Sequence, residues 1–83
     1  MELIKHPKTV KDLAAEIKKA CDAYWGREIT EIELKEILFY WASKEGKKLF
    51  QGNDYKPAIK KIIGKQRQEL LNKILENFQP RII

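Results

Sequence analysis

Apolar residues recur every three or four positions from Val10 to Trp25, at Val10, Leu13, Ala14, Ile17, Ala20, Cys21, Tyr24 and Trp25. At about 100° per residue they fall on one arc, with Lys11, Glu16, Lys18 and Asp22 outside it. This is the pattern of an amphipathic helix that must bury one face against a partner element. Thr9 is placed to cap its start, with Asp12 three residues on, and Gly26 is expected to stop it in a left-handed conformation.

The second start signal is Thr30-Glu31-Ile32-Glu33, a capping box with Ile29 and Leu34 as a hydrophobic staple. Its core stripe is Leu34, Ile37, Leu38, Trp41 and Ala42, and Gly46 is expected to end it. Ile32 and Phe39 lie on a different flank, so this helix is either buried on two sides or meets a partner there. Residues 46–56 read as a connection rich in turn formers, anchored by Leu49, Phe50 and Tyr55, with a short hairpin around Gly52-Asn53 as an option. Pro57 marks the first turn of a third helix running to about Phe78.

Within that helix Ile59, Ile62 and Ile63 point roughly 90° away from Leu71, Ile74, Leu75 and Phe78. A bend or break near Gly64 would let both sets reach one core. The fold expected is all-α: an orthogonal three-helix bundle, or a four-helix one if the third helix breaks. Leu13, Ile17, Cys21, Leu34, Ile37, Leu38, Trp41, Ile59, Ile63, Leu70 and Ile74 should form its core. Eighty-three residues make one domain, 1–83, with residues 1–8 as an N-terminal segment and 79–83 as a loose tail. A domain this small buries only about 60% of its unfolded surface, so its apolar residues are needed for one core.

No apolar run approaches the length of a membrane span, and the first eight residues lack the apolar stretch of a signal peptide. With a single cysteine as well, the expectation is a cytoplasmic protein with no membrane partner. Catalytic chemistry finds little support. His6 has no orienting partner in the sequence, and Cys21 sits mid-arc as a core filler. Glu28, Glu31, Glu33 and Glu36 cluster at a helix N-terminus, where capping and the helix dipole account for them. Gly46, Gly52 and Gly64 are isolated and form no phosphate loop. The reading is a non-enzyme with no metal and no cofactor.

Charge is the informative feature. Residues 1–45 carry a net −1 and residues 69–83 a net 0, while residues 46–68 carry +6. The segment holds Lys47, Lys48, Lys56, Lys60, Lys61, Lys65 and Arg67 against Asp54 alone. A concentrated cationic stretch suits phosphates, and nucleic acid is the leading partner. Lys61, Lys65, Gln68 and Asn72 recur on one helical face, cationic at one end and amide-bearing at the other, suited to phosphates and base edges. Lys60 and Arg67 lie about 80–160° around the helix from them. A helix-turn-helix reading fails because Glu31, Glu33 and Glu36 would open the recognition helix and repel phosphates. The alternative is a protein-interaction module, a homodimer formed through Ile32 and Phe39.

Thr9-Val-Lys-Asp-Leu-Ala, Cys21 to Trp25, Tyr40-Trp-Ala, Gly46-Lys-Lys-Leu-Phe, and Asn53 through Ile63-Gly-Lys to Leu75 together resemble a family of small bacterial proteins. Members have about eighty residues and no assigned function. The resemblance covers nearly the whole chain and implies a stand-alone protein. It carries over no catalytic residue or ligand.

Overall fold

The computed structural model describes Leu3 and residues 6–52 and 54–77. Helix α1 spans Val10–Trp25, and Thr9 Oγ1 accepts from the Asp12 N–H at 3.0 Å. Its end differs from expectation. Gly26 has φ −81°, and the left-handed residue is Arg27, at φ +63°. The Arg27 and Glu28 N–H groups donate to the Tyr24 and Ala23 carbonyls at 3.1 and 2.8 Å, which closes the last turn. Glycine is used at position 26 for space, since a Cβ there would lie 3.2 Å from the Asp22 carbonyl oxygen.

Helix α2, Glu31–Lys44, starts with the expected capping box: Thr30 N donates to Glu33 Oε1 at 2.9 Å and Glu33 N to Thr30 Oγ1 at 3.2 Å. It ends at Lys44, before Gly46. Gly46 instead opens a one-turn helix, α3 (Gly46–Leu49), which puts Leu49 into the core. Strands β1 (Phe50–Gln51) and β2 (Asp54–Tyr55) pair antiparallel, Phe50 opposite Tyr55 and Gln51 opposite Asp54. Gly52 leaves β1 at φ +64°, a backbone conformation that glycine adopts without penalty.

Helix α4 spans Pro57–Ile74 and is followed by a 3-10 turn, Leu75–Asn77. It is broken at Gly64, with φ +81° and ψ 171°, a region open essentially to glycine alone. The break re-aims the chain so that Ile59 and Ile63 from one side, and Leu71, Ile74 and Leu75 from the other, join a single core. Phe78 and the 79–83 tail fall outside the described residues, as does Asn53 of the hairpin turn.

The core gathers Leu13, Ala14, Ile17, Ala20 and Cys21 of α1 with Leu34, Leu38 and Trp41 of α2. Leu49, Tyr55 and the apolar residues of α4 complete it, and α4 packs most extensively on α1. Of the core residues expected from periodicity, Ile37 and Leu70 are only half-buried, and Leu71 takes the deep position expected of Leu70. Trp25 departs further. It is 46% exposed and outside the core cluster. Periodicity sets the direction of a side chain but not whether another element reaches it. The chain is thus mostly helical, with four α-helices and one two-stranded ribbon among the described residues. No described helix is long and apolar enough to cross a membrane.

Candidate nucleic-acid interface

A helix end leaves its last four carbonyls without regular helical donors, and the break at Gly64 creates such an end inside α4. Two side chains reach back across it. Gln68 Nε2 donates to the Lys60 carbonyl at 3.2 Å, and Arg67 Nη1 donates to the Ile63 carbonyl at 2.9 Å. Arg67 also donates through Nε and Nη2 to Asp22 Oδ1 on α1, at 3.1 and 2.7 Å. Its guanidinium lies 5.8 Å from the centre of the Trp25 ring, within cation–π range. Arg67 therefore joins the two halves of α4 to the C-terminal end of α1.

Other members of the basic segment are held as well. Lys60 pairs with Asp54, whose carboxyl lies below its ordinary range because of Lys60 first and the Tyr55 N–H second. Lys48 Nζ lies 2.6 Å from Glu45 Oε1. Asn72 Oδ1 accepts from the Tyr55 hydroxyl at 2.9 Å, and burial pushes that phenol up to about 12. Of the nine polar residues read as contacts, Lys48, Lys60, Arg67, Gln68 and Asn72 thus have internal partners. Their side chains serve the fold first. The shared face of Lys61, Lys65, Gln68 and Asn72 presumed one continuous helix, and Gly64 interrupts it.

Lys47, Lys61 and Lys65 are exposed and Lys56 is half-buried, all four without an acidic partner among the described residues. At the α2–α3 junction a depression of about 440 Å³ is lined by Ser43, Lys44, Glu45, Gly46, Lys47 and Lys48. Its one carboxylate, Glu45, is engaged by Lys48 and His6 and sits below its ordinary range for that reason. Lys44 escaped the sequence reading because it precedes the basic segment; helix α3 folds Lys47 and Lys48 back beside it. From this junction α4 sets out, tied by the Lys56 N–H to the Leu49 carbonyl at 2.9 Å, and it reaches Asp22 and Trp25 by Arg67. In chain order, Lys56, Lys61 and Lys65 thus lie between the depression and Arg67.

His6 has partners that the sequence did not reveal. Its Nδ1 lies 3.3 Å from Glu45 Oε2, and its Nε2 lies 2.7 Å from the Tyr40 hydroxyl. The ring itself is exposed and links the segment before α1 to the end of α2. Cys21 is buried, and desolvation pushes its thiol up to about 12 against the opposing charge of Arg67, which makes it a poor nucleophile. Among the acidic residues, Glu33 caps α2 and Glu31 accepts from the Tyr24 hydroxyl at 3.4 Å. Glu33 and Glu36 line a second depression, of about 400 Å³, with Ile37 and Tyr40. That lining is acidic and unsuited to phosphate. No group of three or more His, Cys, Asp or Glu able to hold a metal occurs among the described residues.

On the other flank, Ile32 is 71% exposed, whereas Phe39 is half-buried against the core with Lys35 Nζ 5.5 Å from its ring centre. No curated protein and no solved structure matches this chain. The profile of one family, described as a conserved hypothetical protein, matches residues 4–76. That span takes in every helix described above, and the chain belongs to the CLB_0814 family of conserved hypothetical proteins.

Proposed function

We propose that this protein is a non-catalytic module that binds nucleic acid through the phosphate backbone. The observation that carries the reading is the lysine-lined depression at the α2–α3 junction, continued along α4 by lysines with no acidic partner. Phosphate contacts of this kind supply sequence-independent affinity. The amides of Gln68 and Asn72 are occupied within the fold, so base-edge recognition by them is not part of the proposal.

Three to five contacts from Lys44, Lys47, Lys56, Lys61 and Lys65 correspond to a log–log salt slope of about −3 to −4 on duplex DNA, with roughly micromolar or weaker affinity at physiological salt. Anisotropy titration of labelled duplex and single-stranded oligonucleotides tests this, with wild type, Lys61→Glu/Lys65→Glu and Lys44→Glu/Lys47→Glu. These four side chains are exposed, so each variant should fold. Absence of wild-type binding at about 50 mM salt, or equal binding by both folded variants, would sink the reading.

A second reading, self-association through the α2 flank, is supported by the 71% exposure of Ile32. Sedimentation of wild type and Ile32→Glu at micromolar concentration tests it; a strict monomer removes it.

A further inference from the structure

We infer that Trp25 is a stacking platform for an unpaired nucleobase, so that the ligand of this module is single-stranded. The inference rests on the phosphate-binding reading above and adds a site to it. Trp25 and Ile32 are the exposed large apolar side chains among the described residues, and Trp25 alone of the two presents a π-face. Its indole is pre-positioned. Arg67 lies beside the ring, and the guanidinium is pinned by Asp22 on α1 and the Ile63 carbonyl across the break.

Trp25 is 46% exposed with Arg67 over its ring, which leaves room for a base. Bases stack on such aromatics irrespective of sequence. Arg67, the cation over the ring, is already paired with Asp22. The spot therefore suits a neutral base rather than a phosphate. The phosphates would be met by the exposed lysines of α4, the helix whose Arg67 reaches Trp25. Cations combined with an exposed aromatic are the means by which proteins hold single strands. A duplex keeps its bases stacked internally and offers none to the ring.

The molecule supplies its own readout. The other tryptophan, Trp41, is fully buried, so quenching of indole fluorescence by an oligonucleotide reports on Trp25. The experiment titrates wild type, Trp25→Leu and Trp25→Phe with single-stranded and duplex oligonucleotides, following both fluorescence and anisotropy. The expected result is quenching of wild type by single strands. Single-strand affinity should fall roughly tenfold or more in Trp25→Leu and largely recover in Trp25→Phe, with duplex binding unchanged in both. Single-strand binding by wild type without quenching overturns the platform and leaves the lysine reading standing; this outcome needs no variant to fold. Absence of any binding overturns both. An emission shift that grows with protein concentration alone, and vanishes in Trp25→Leu, would assign the ring to contact with another protein copy and overturn the platform.

Discussion

Nη1 of Arg67 donates to the carbonyl of Ile63 at 2.9 Å, spanning the one residue where α4 is not helical. The hydrogen bond explains how a helix can be interrupted beside a core without stranding its polar backbone. Arg67→Ala should cost about 1–2 kcal/mol, because the carbonyl loses its partner. Asp22→Ala should cost less than about 1 kcal/mol, since this ion pair is partly exposed, with side-chain exposures of 23% for Arg67 and 49% for Asp22. Urea denaturation of both variants checks the order; a larger loss for Asp22→Ala would show that the ion pair, not the backbone contact, holds the break.

Gly64→Ala should destabilise by about 1–3 kcal/mol although nothing lies within 4 Å of the added Cβ. The cost is conformational, set by φ +81° and ψ 171°. A variant as stable as wild type would mean that position 64 is helical and α4 continuous.

Arg27→Gly should stabilise by about 0.5–1 kcal/mol, because a non-glycine residue holds φ +63° at the end of α1. Gly26→Ala, one position earlier, should destabilise through the 3.2 Å approach to the Asp22 carbonyl. Thermal midpoints of the two variants should move in opposite directions, and a common direction would contradict the placement of the left-handed residue.

Glu45 and Asp54 both titrate below their ordinary values of 4.5 and 3.8 when folded, through Lys48 and His6 and through Lys60 and the Tyr55 N–H respectively. The folded state therefore binds fewer protons than the unfolded state in this range. The stability they contribute is present above the ordinary values and is lost as pH falls through the folded ones. Denaturant midpoints measured through the acid range should fall, and should fall less steeply in Lys48→Met and Lys60→Met. Unchanged profiles in both variants would remove these pairs as the cause.

Tyr55 and Cys21 move the other way, up to about 12 from ordinary values of 10.0 and 9.0, mainly by burial. Here the folded state keeps protons that the unfolded state releases, so stability falls as pH rises from about 9 towards 12. Tyr55→Phe should flatten the alkaline limb while weakening the fold at neutral pH through the lost bond to Asn72. An unaltered alkaline limb would show that the Tyr55 phenol is not desolvated.

The local signals were legible because they depend on near neighbours in the chain. The Thr9 cap, the Thr30 capping box, the helical arc that buries Leu13, Ile17 and Cys21, and the discontinuity at Gly64 are all written in spacings of one to four residues. The concentration of cations in residues 46–68 is likewise a property of the sequence alone. Which cations are free is not. Arg67 meets Asp22 forty-five residues away, His6 meets Glu45 thirty-nine away and Tyr40 thirty-four away, and Asn72 meets Tyr55 seventeen away. Trp25 carries the same periodic mark as Cys21, yet Cys21 is buried in the core while Trp25 is 46% exposed with Arg67 of α4 over its ring. Periodicity specifies a direction from the helix axis through local backbone geometry. Only the packing of distant segments decides whether that direction leads to a core, an ion pair or solvent.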